Sequence, residues 1–167
     1  MTHIDTSGAT PPGELTIGQI HHVVVNVRAI DVSLPFYRDV LGLAYEGATE
    51  VGGPGIGRLA RLPEGSRGRN AFLSAGRGMG RVELVEWVGG AGADYANLPR
   101  RTGASPGFAL LSFLLREPAL RGLYERLRGD YVCWSEPLDF VVGGRKVVGF
   151  VVEDPDGNPL ELFALPD

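Results

Sequence analysis

The chain of 167 residues carries one cysteine, Cys133, one lysine, Lys146, and three histidines. A single cysteine excludes an internal disulfide and suits a reducing compartment. Arginine therefore supplies nearly all of the 16 basic residues, and the formal net charge is −4. That balance lacks the basic footprint of a nucleic-acid binder. No apolar run reaches the roughly 20 residues needed to cross a bilayer, so no membrane partner is expected. The first residues, MTHIDTSGATPPGELTIG, have no basic segment followed by an apolar one. No signal peptide is expected there, only a polar N-terminal arm over residues 1–17 and a cytoplasmic protein. The glycine clusters lack phosphate-binding patterns: Gly52 to Gly55 does not open a helix, and Gly76 to Gly80 is no P-loop.

What is present is organised around QIHHVVVNVRAIDVSLPFYRDVLG, Gln19 to Gly42. The period of two makes Ile20 to Arg28 a strand, with Val23, Val25 and Val27 on one face and His22, Val24 and Asn26 on the other. Asp31 or Ser33 can cap the helix that follows, with Pro35 in its first turn. Leu34, Tyr37, Val40 and Leu41 recur at helical spacing, and Gly42 stops it. The helix covers the valine face, which leaves His22 on an open one and directs His21 to the helix side. Further strands are predicted over Ala44 to Glu50, Ile56 to Leu62 and Arg81 to Val88. Pro63 to Asn70 reads as an arginine- and glycine-rich loop. In the last of these strands Glu83, Val85 and Trp87 share one face, and Glu86 lies on the other.

The pattern then restarts. Residues 18–92 form a first βαβββ module, 93–106 a linker and 107–167 a second module. In the second, Phe108 to Leu115 is a strand showing Leu110, Ser112 and Leu114 on one face, and Pro118 opens a helix striped with Leu120, Leu123, Tyr124 and Leu127. Strand candidates follow at Tyr131 to Trp134, Leu138 to Val142, Arg145 to Val152 and Leu160 to Leu165. His22 and Leu110 occupy matching places (110 − 22 = 88), as do Glu83 and Glu161 (161 − 83 = 78). With 44% apolar residues the chain can bury one real core. The fold class expected is α+β, two modules forming a curved open sheet or half-barrel trough with helices outside.

Four segments carry a family likeness: HVVVNV at His22 to Val27, FYRDVLGL at Phe36 to Leu43, VEL at Val82 to Leu84, and DPDGNPLELF at Asp154 to Phe163. Together they resemble the vicinal oxygen chelate superfamily of glyoxalases, bleomycin-resistance proteins and extradiol dioxygenases, over about Ile20 to Leu165. The resemblance implies a cavity between paired modules and a divalent metal held from the first and last strands of each. Those positions here are His22, Glu83, Leu110 and Glu161. Three of them are metal donors, one imidazole and two carboxylates, a set suited to Zn, Ni, Mn or Fe. Leucine at 110 disfavours an extradiol dioxygenase, which takes a second histidine from that place.

The activity implied is that of a small metal-dependent isomerase, lyase or cyclase. It would stabilise an enolate or oxyanion of an oxygenated small molecule, with His22, Glu83 and Glu161 moving protons. Asn26, Trp87, Leu110, Ser112, Tyr131, Trp134 and Phe163 are the candidate substrate contacts. The alternative is a metal-free protein of the bleomycin-resistance kind that sequesters a drug or metabolite in an apolar trough and needs no cofactor. Family likeness also implies a homodimer, with modules either compact or swapped between chains. Cys133 has no activating base in view and is assigned to packing.

Overall fold

The computed structural model describes residues 21–53, 65–76, 80–88, 110–142 and 144–166. The predicted strand at Ile56 to Leu62 and the linker at 93–106 lie outside them, as does the arm at 1–17. The described residues form two four-stranded mixed sheets. In the first the order is β1 (His22–Asn26), β4 (Arg81–Val88), β3 (Arg67–Ser74), β2 (Ala44–Gly52); in the second it is β5 (Leu111–Leu115), β8 (Pro159–Ala164), β7 (Arg145–Glu153), β6 (Leu138–Val142). In each sheet the first strand pairs in parallel with the last, and the other pairings are antiparallel. The architecture is the expected α+β one of two βαβββ units, and neither described sheet closes into a barrel.

The registers confirm the internal repeat independently of side-chain identity. Val24 stands opposite Glu83, and Ser112 opposite Glu161. The offset is again 112 − 24 = 88, so Leu110 is the structural counterpart of His22. Alternation then works as predicted. Val25, Val27, Leu73, Val82 and Leu84 are buried on one face of the first sheet, and Val148, Phe150, Val152, Leu160 and Leu162 on one face of the second. All of these, with residues of α1 (Ile30–Pro35) and α2 (Glu117–Leu127), belong to one continuous core. Leu120, Leu123 and Leu127 of α2 are at most 5% exposed, each worth about 1.5–3 kcal/mol of burial. The opposite faces stay open: Val24, Leu114, Trp134, Leu138, Phe140 and Val142 are all exposed.

The first helix departs from expectation. α1 spans Ile30–Pro35, and Phe36–Val40 continues it as a π-helical turn. Neither Asp31 nor Ser33 caps it. The first backbone N–H, that of Ile30, is satisfied by Glu86 Oε2 at 2.8 Å, reaching over from β4. Pro35 sits at the end of α1, where its missing N–H breaks the α-ladder, and the chain relaxes into the wider turn closed by Leu41 N–H donating to Phe36 O. A second correction concerns Arg67 to Asn70, predicted as loop, which is the first half of β3. Tyr131 to Trp134 forms one isolated bridge, Cys133 to Val152, and no full strand.

The turn at Asp154 to Pro159 does more than reverse the chain: it docks the second unit onto the first. Arg28 donates from its backbone N–H and Nε to Asp156 Oδ1 at 3.0 and 2.7 Å, and Ser33 Oγ donates to Asp156 Oδ2 at 2.6 Å. Tyr37, fully buried, donates its hydroxyl to Asp154 Oδ2 at 2.8 Å, and Phe36 packs against Tyr131 with ring centroids 4.8 Å apart. Burial first, and then the Asp154 carboxylate, push the Tyr37 phenol well above its ordinary value of 10.0. The folded state thus binds this proton more tightly than the unfolded chain does. Its stabilising effect is complete below about pH 10 and is lost as pH climbs above that value. Tyr37→Phe is expected to flatten the alkaline fall in melting temperature while lowering stability at neutral pH by about 1–2 kcal/mol, measured by thermal unfolding from pH 7 to 11.

Candidate functional site

On the open face of the first sheet, β1 and β4 run in parallel and bring His22 and Glu83 together. His22 Nε2 lies 3.2 Å from Glu83 Oε2. Glu83 is only 9% exposed, and a carboxylate in that setting needs partners. The second one comes from β3: Asn70 Nδ2 donates to Glu83 Oε1 at 2.6 Å, while Asn70 Oδ1 accepts the Thr49 backbone N–H at 3.1 Å. The Thr49 bond fixes which way the Asn70 amide faces. Glu83 is therefore gripped on one oxygen and presents the other to the imidazole. Sequence reading missed Asn70 because it lies in a run, RGRN, that has the composition of a loop.

His21 also departs from its expected place. It precedes β1, and its Nδ1 approaches His22 Nδ1 to 2.8 Å. With His22 Nε2–H donating to Glu83, Nδ1 of the neutral ring is an acceptor and His21 is the donor. If His22 Nε2 bound a metal instead, the proton would move to Nδ1 and His21 would turn acceptor. A second imidazole of this kind orients a metal-binding one. Phe72, opposite Glu83 on β3, meets the His22 ring edge-on at 6.0 Å.

The second sheet holds the other candidate acid. Ser112 Oγ donates to Glu161 Oε2 at 2.6 Å. Alternation places Phe163 and Leu114 on the same face as Glu161, Leu114 exposed and Phe163 half-buried. Glu161 has no counterpart of Asn70; the matching position on β7, beside Phe163, is Gly149. Among the described residues its second oxygen has less support than Glu83 has. Leu110, half-buried, lies one residue before β5.

Among the remaining candidates, Trp87 Nε1 donates to Asn26 Oδ1 at 3.1 Å, so these two brace one another on the open face of the first sheet. Trp134 donates to Glu153 at 3.0 Å beside the second. Tyr131 packs on the core against Phe36. Cys133 is partly buried, and burial pushes its thiol up, which agrees with a packing role.

Residues 19–162 match the family model of the Glyoxalase/Bleomycin resistance protein/Dioxygenase superfamily. The chain belongs to this superfamily. No curated protein sequence matches it. Among solved structures it is similar to a glyoxalase family protein from Bacillus cereus, with a TM-score of 0.76 and 18% identity over 94% of this chain and 100% of that one. It is similar to the trypanothione-dependent glyoxalase I of Leishmania major with a TM-score of 0.57 and 18% identity, over 89% of this chain and 87% of that one. A superfamily member from Alicyclobacillus acidocaldarius gives 0.53 and 18%, over 89% and 92%. At such identities the likeness is one of fold. No described helix is long and apolar enough to cross a membrane.

Members of this superfamily often use a divalent metal, and the donor chemistry of His22, Glu83 and Glu161 is of the right kind. Their placement in one chain is not. His22 and Glu83 form a pair on one sheet, Glu161 is bonded to Ser112 on the other, and among the described residues no three His, Cys, Asp or Glu side chains are grouped to hold a metal. Within one chain the His22–Glu83 pair and the Ser112–Glu161 pair are held separately.

Proposed function

We propose that the protein is a metal-dependent enzyme of the superfamily acting on an oxygenated small molecule, and that its site is completed by a second copy of the chain. His22 and Glu83 of one chain and Glu161 of the other would hold the metal. The observation that carries this reading is the His22–Glu83 pair, braced by Asn70 and presented on an open sheet face. A bound divalent ion would polarise neighbouring substrate oxygens as a Lewis acid. The chain's own residues divide the remaining work. Asn70 holds Glu83 still on one oxygen, so that Glu83 and His22 serve as fixed groups. Ser112 steadies one oxygen of Glu161 and leaves the other able to take a proton from a substrate carbon beside an oxygenated one. Isomerase or lyase chemistry through an enolate fits this division, in a homodimer.

A specific feature favours a second reading. The open face of the second sheet exposes Leu114, Trp134, Leu138 and Phe140, which would suit sequestration of an apolar ligand without a metal. Metal analysis of protein purified without chelator separates the two. The enzyme reading expects stoichiometric metal in the wild type and its loss, at least tenfold in affinity, in His22→Ala, with an unchanged circular dichroism spectrum. Metal-free wild-type protein that takes up no Ni²⁺, Zn²⁺ or Mn²⁺ on dialysis would leave the sequestration reading.

A further inference from the structure

The open face of the first sheet continues past His22 into a depression of about 350 Å³ lined by Glu46, Gly47, Ala48, Thr49, Phe72 and Arg81. Its size is in the range of small-molecule sites. Three features make it a continuation of the His22–Glu83 pair. Arg81 is the cross-strand partner of His22, one strand spacing away, which is about 4.8 Å. Phe72 faces Glu83 across the sheet and also touches the His22 ring. The backbone N–H of Arg81 donates to His21 O at 3.1 Å, which ties its position to the same strand end.

The arginine is held ready by a local irregularity. β2 shifts register between Tyr45 and Gly47, leaving Glu46 as the extra residue of a β-bulge. Gly47 has φ of +140° with no atom near its missing side chain, a conformation that glycine alone adopts readily. The bulge turns the Glu46 carboxylate to Arg81 Nε at 2.8 Å, and both side chains are partly exposed. An ion pair this exposed shifts an equilibrium by about fivefold at most. A ligand carboxylate offering the guanidinium two parallel hydrogen bonds can displace it.

We propose that Arg81 is the specificity-determining residue of the site and that the depression takes a small carboxylate whose neighbouring carbon bears an oxygen, a 2-hydroxy or 2-oxo acid with an apolar body lying over Phe72. The carboxylate meets Arg81, and the adjacent oxygenated carbon falls beside His22 and Glu83. The assignment rests on the reading of that pair as the site for vicinal substrate oxygens. Glu46 acts as the resident counter-ion that the substrate replaces.

The test is calorimetric titration of the full chain with mandelate, which has the carboxylate, the adjacent hydroxyl and an aromatic body, and with its neutral amide. Mandelate is expected to bind about tenfold or more tightly than mandelamide. Arg81→Gln should erase the preference, bringing mandelate down to about the amide's affinity; Arg81→Lys should fall between; Glu46→Gln should tighten mandelate severalfold. Equal affinities in the wild type, an Arg81→Gln variant that keeps the preference, or no binding of either compound would overturn the assignment. Metal content measured in the same samples separates this result from the previous one. Metal present with no carboxylate preference sinks only the Arg81 assignment, and a preference that depends on Arg81 in metal-free protein sinks only the metal reading.

Discussion

Asp154→Ala is expected to lower stability by about 3–5 kcal/mol, enough to unfold a domain of ordinary stability at modest urea concentration. Asp154 is 4% exposed. Its Oδ1 accepts the backbone N–H groups of Asp156 and Asn158, both at 2.8 Å, and its Oδ2 accepts Asn158 Nδ2 at 2.9 Å and the Tyr37 hydroxyl at 2.8 Å. Alanine removes the acceptor of all four donors at once, and the Tyr37 hydroxyl is fully buried. Leaving a buried donor unpaired costs about 1–3 kcal/mol. Water can reach part of the turn, so the four losses do not sum in full. Asp156→Ala is the control. It breaks the buried Ser33 bond and the pairing with a largely exposed Arg28, so its cost should be nearer about 1–2 kcal/mol. A urea series on the two variants checks the order. If Asp154→Ala proves no more costly than Asp156→Ala, the four bonds gathered at Asp154 are not the main support of the turn.

Much of this was legible from local periodicity. The alternating valines of β1, the facing of Glu83 and Glu161 and the spacing that equates His22 with Leu110 all follow from a period of two and a repeat, and the registers agree. What was hidden depends on contacts far along the chain. Glu86 caps α1 from 56 residues away, so Asp31 and Ser33, the nearest residues with capping chemistry, looked like the caps. RGRN has weak strand propensity, yet it forms strand because β2 and β4 pair with it on both sides. DPDGNP announces a turn, but not that its two acids reach Tyr37 and Arg28 at separations of 117 and 128 residues. The bulge at Glu46 has only Gly47 as a local sign. The chemistry of the donor residues could be read directly; whether they meet could not, because that depends on how two sheets sit together.

The largest effect should come from mixing two inactive chains. His22→Ala and Glu161→Ala homodimers are each expected to bind essentially no metal, since each lacks one donor in every site. A dimer with one chain of each kind is different if the site joins His22 and Glu83 of one chain to Glu161 of the other. One of its two sites then collects both defects, and the remaining one is intact. Random pairing makes half of the dimers mixed, so co-expression should restore about a quarter of the wild-type metal. Isolating the mixed dimer with two different affinity tags should raise that to about half. A site built within a single chain predicts no restoration, because every chain in the mixture is defective. The placement of the donors favours the first outcome: the His22–Glu83 pair and the Ser112–Glu161 pair lie on separate sheets, and among the described residues no three His, Cys, Asp or Glu side chains are grouped to hold a metal. Metal content of the tagged mixed dimer at the level of the single variants would exclude the two-chain site and leave a site built within a single chain.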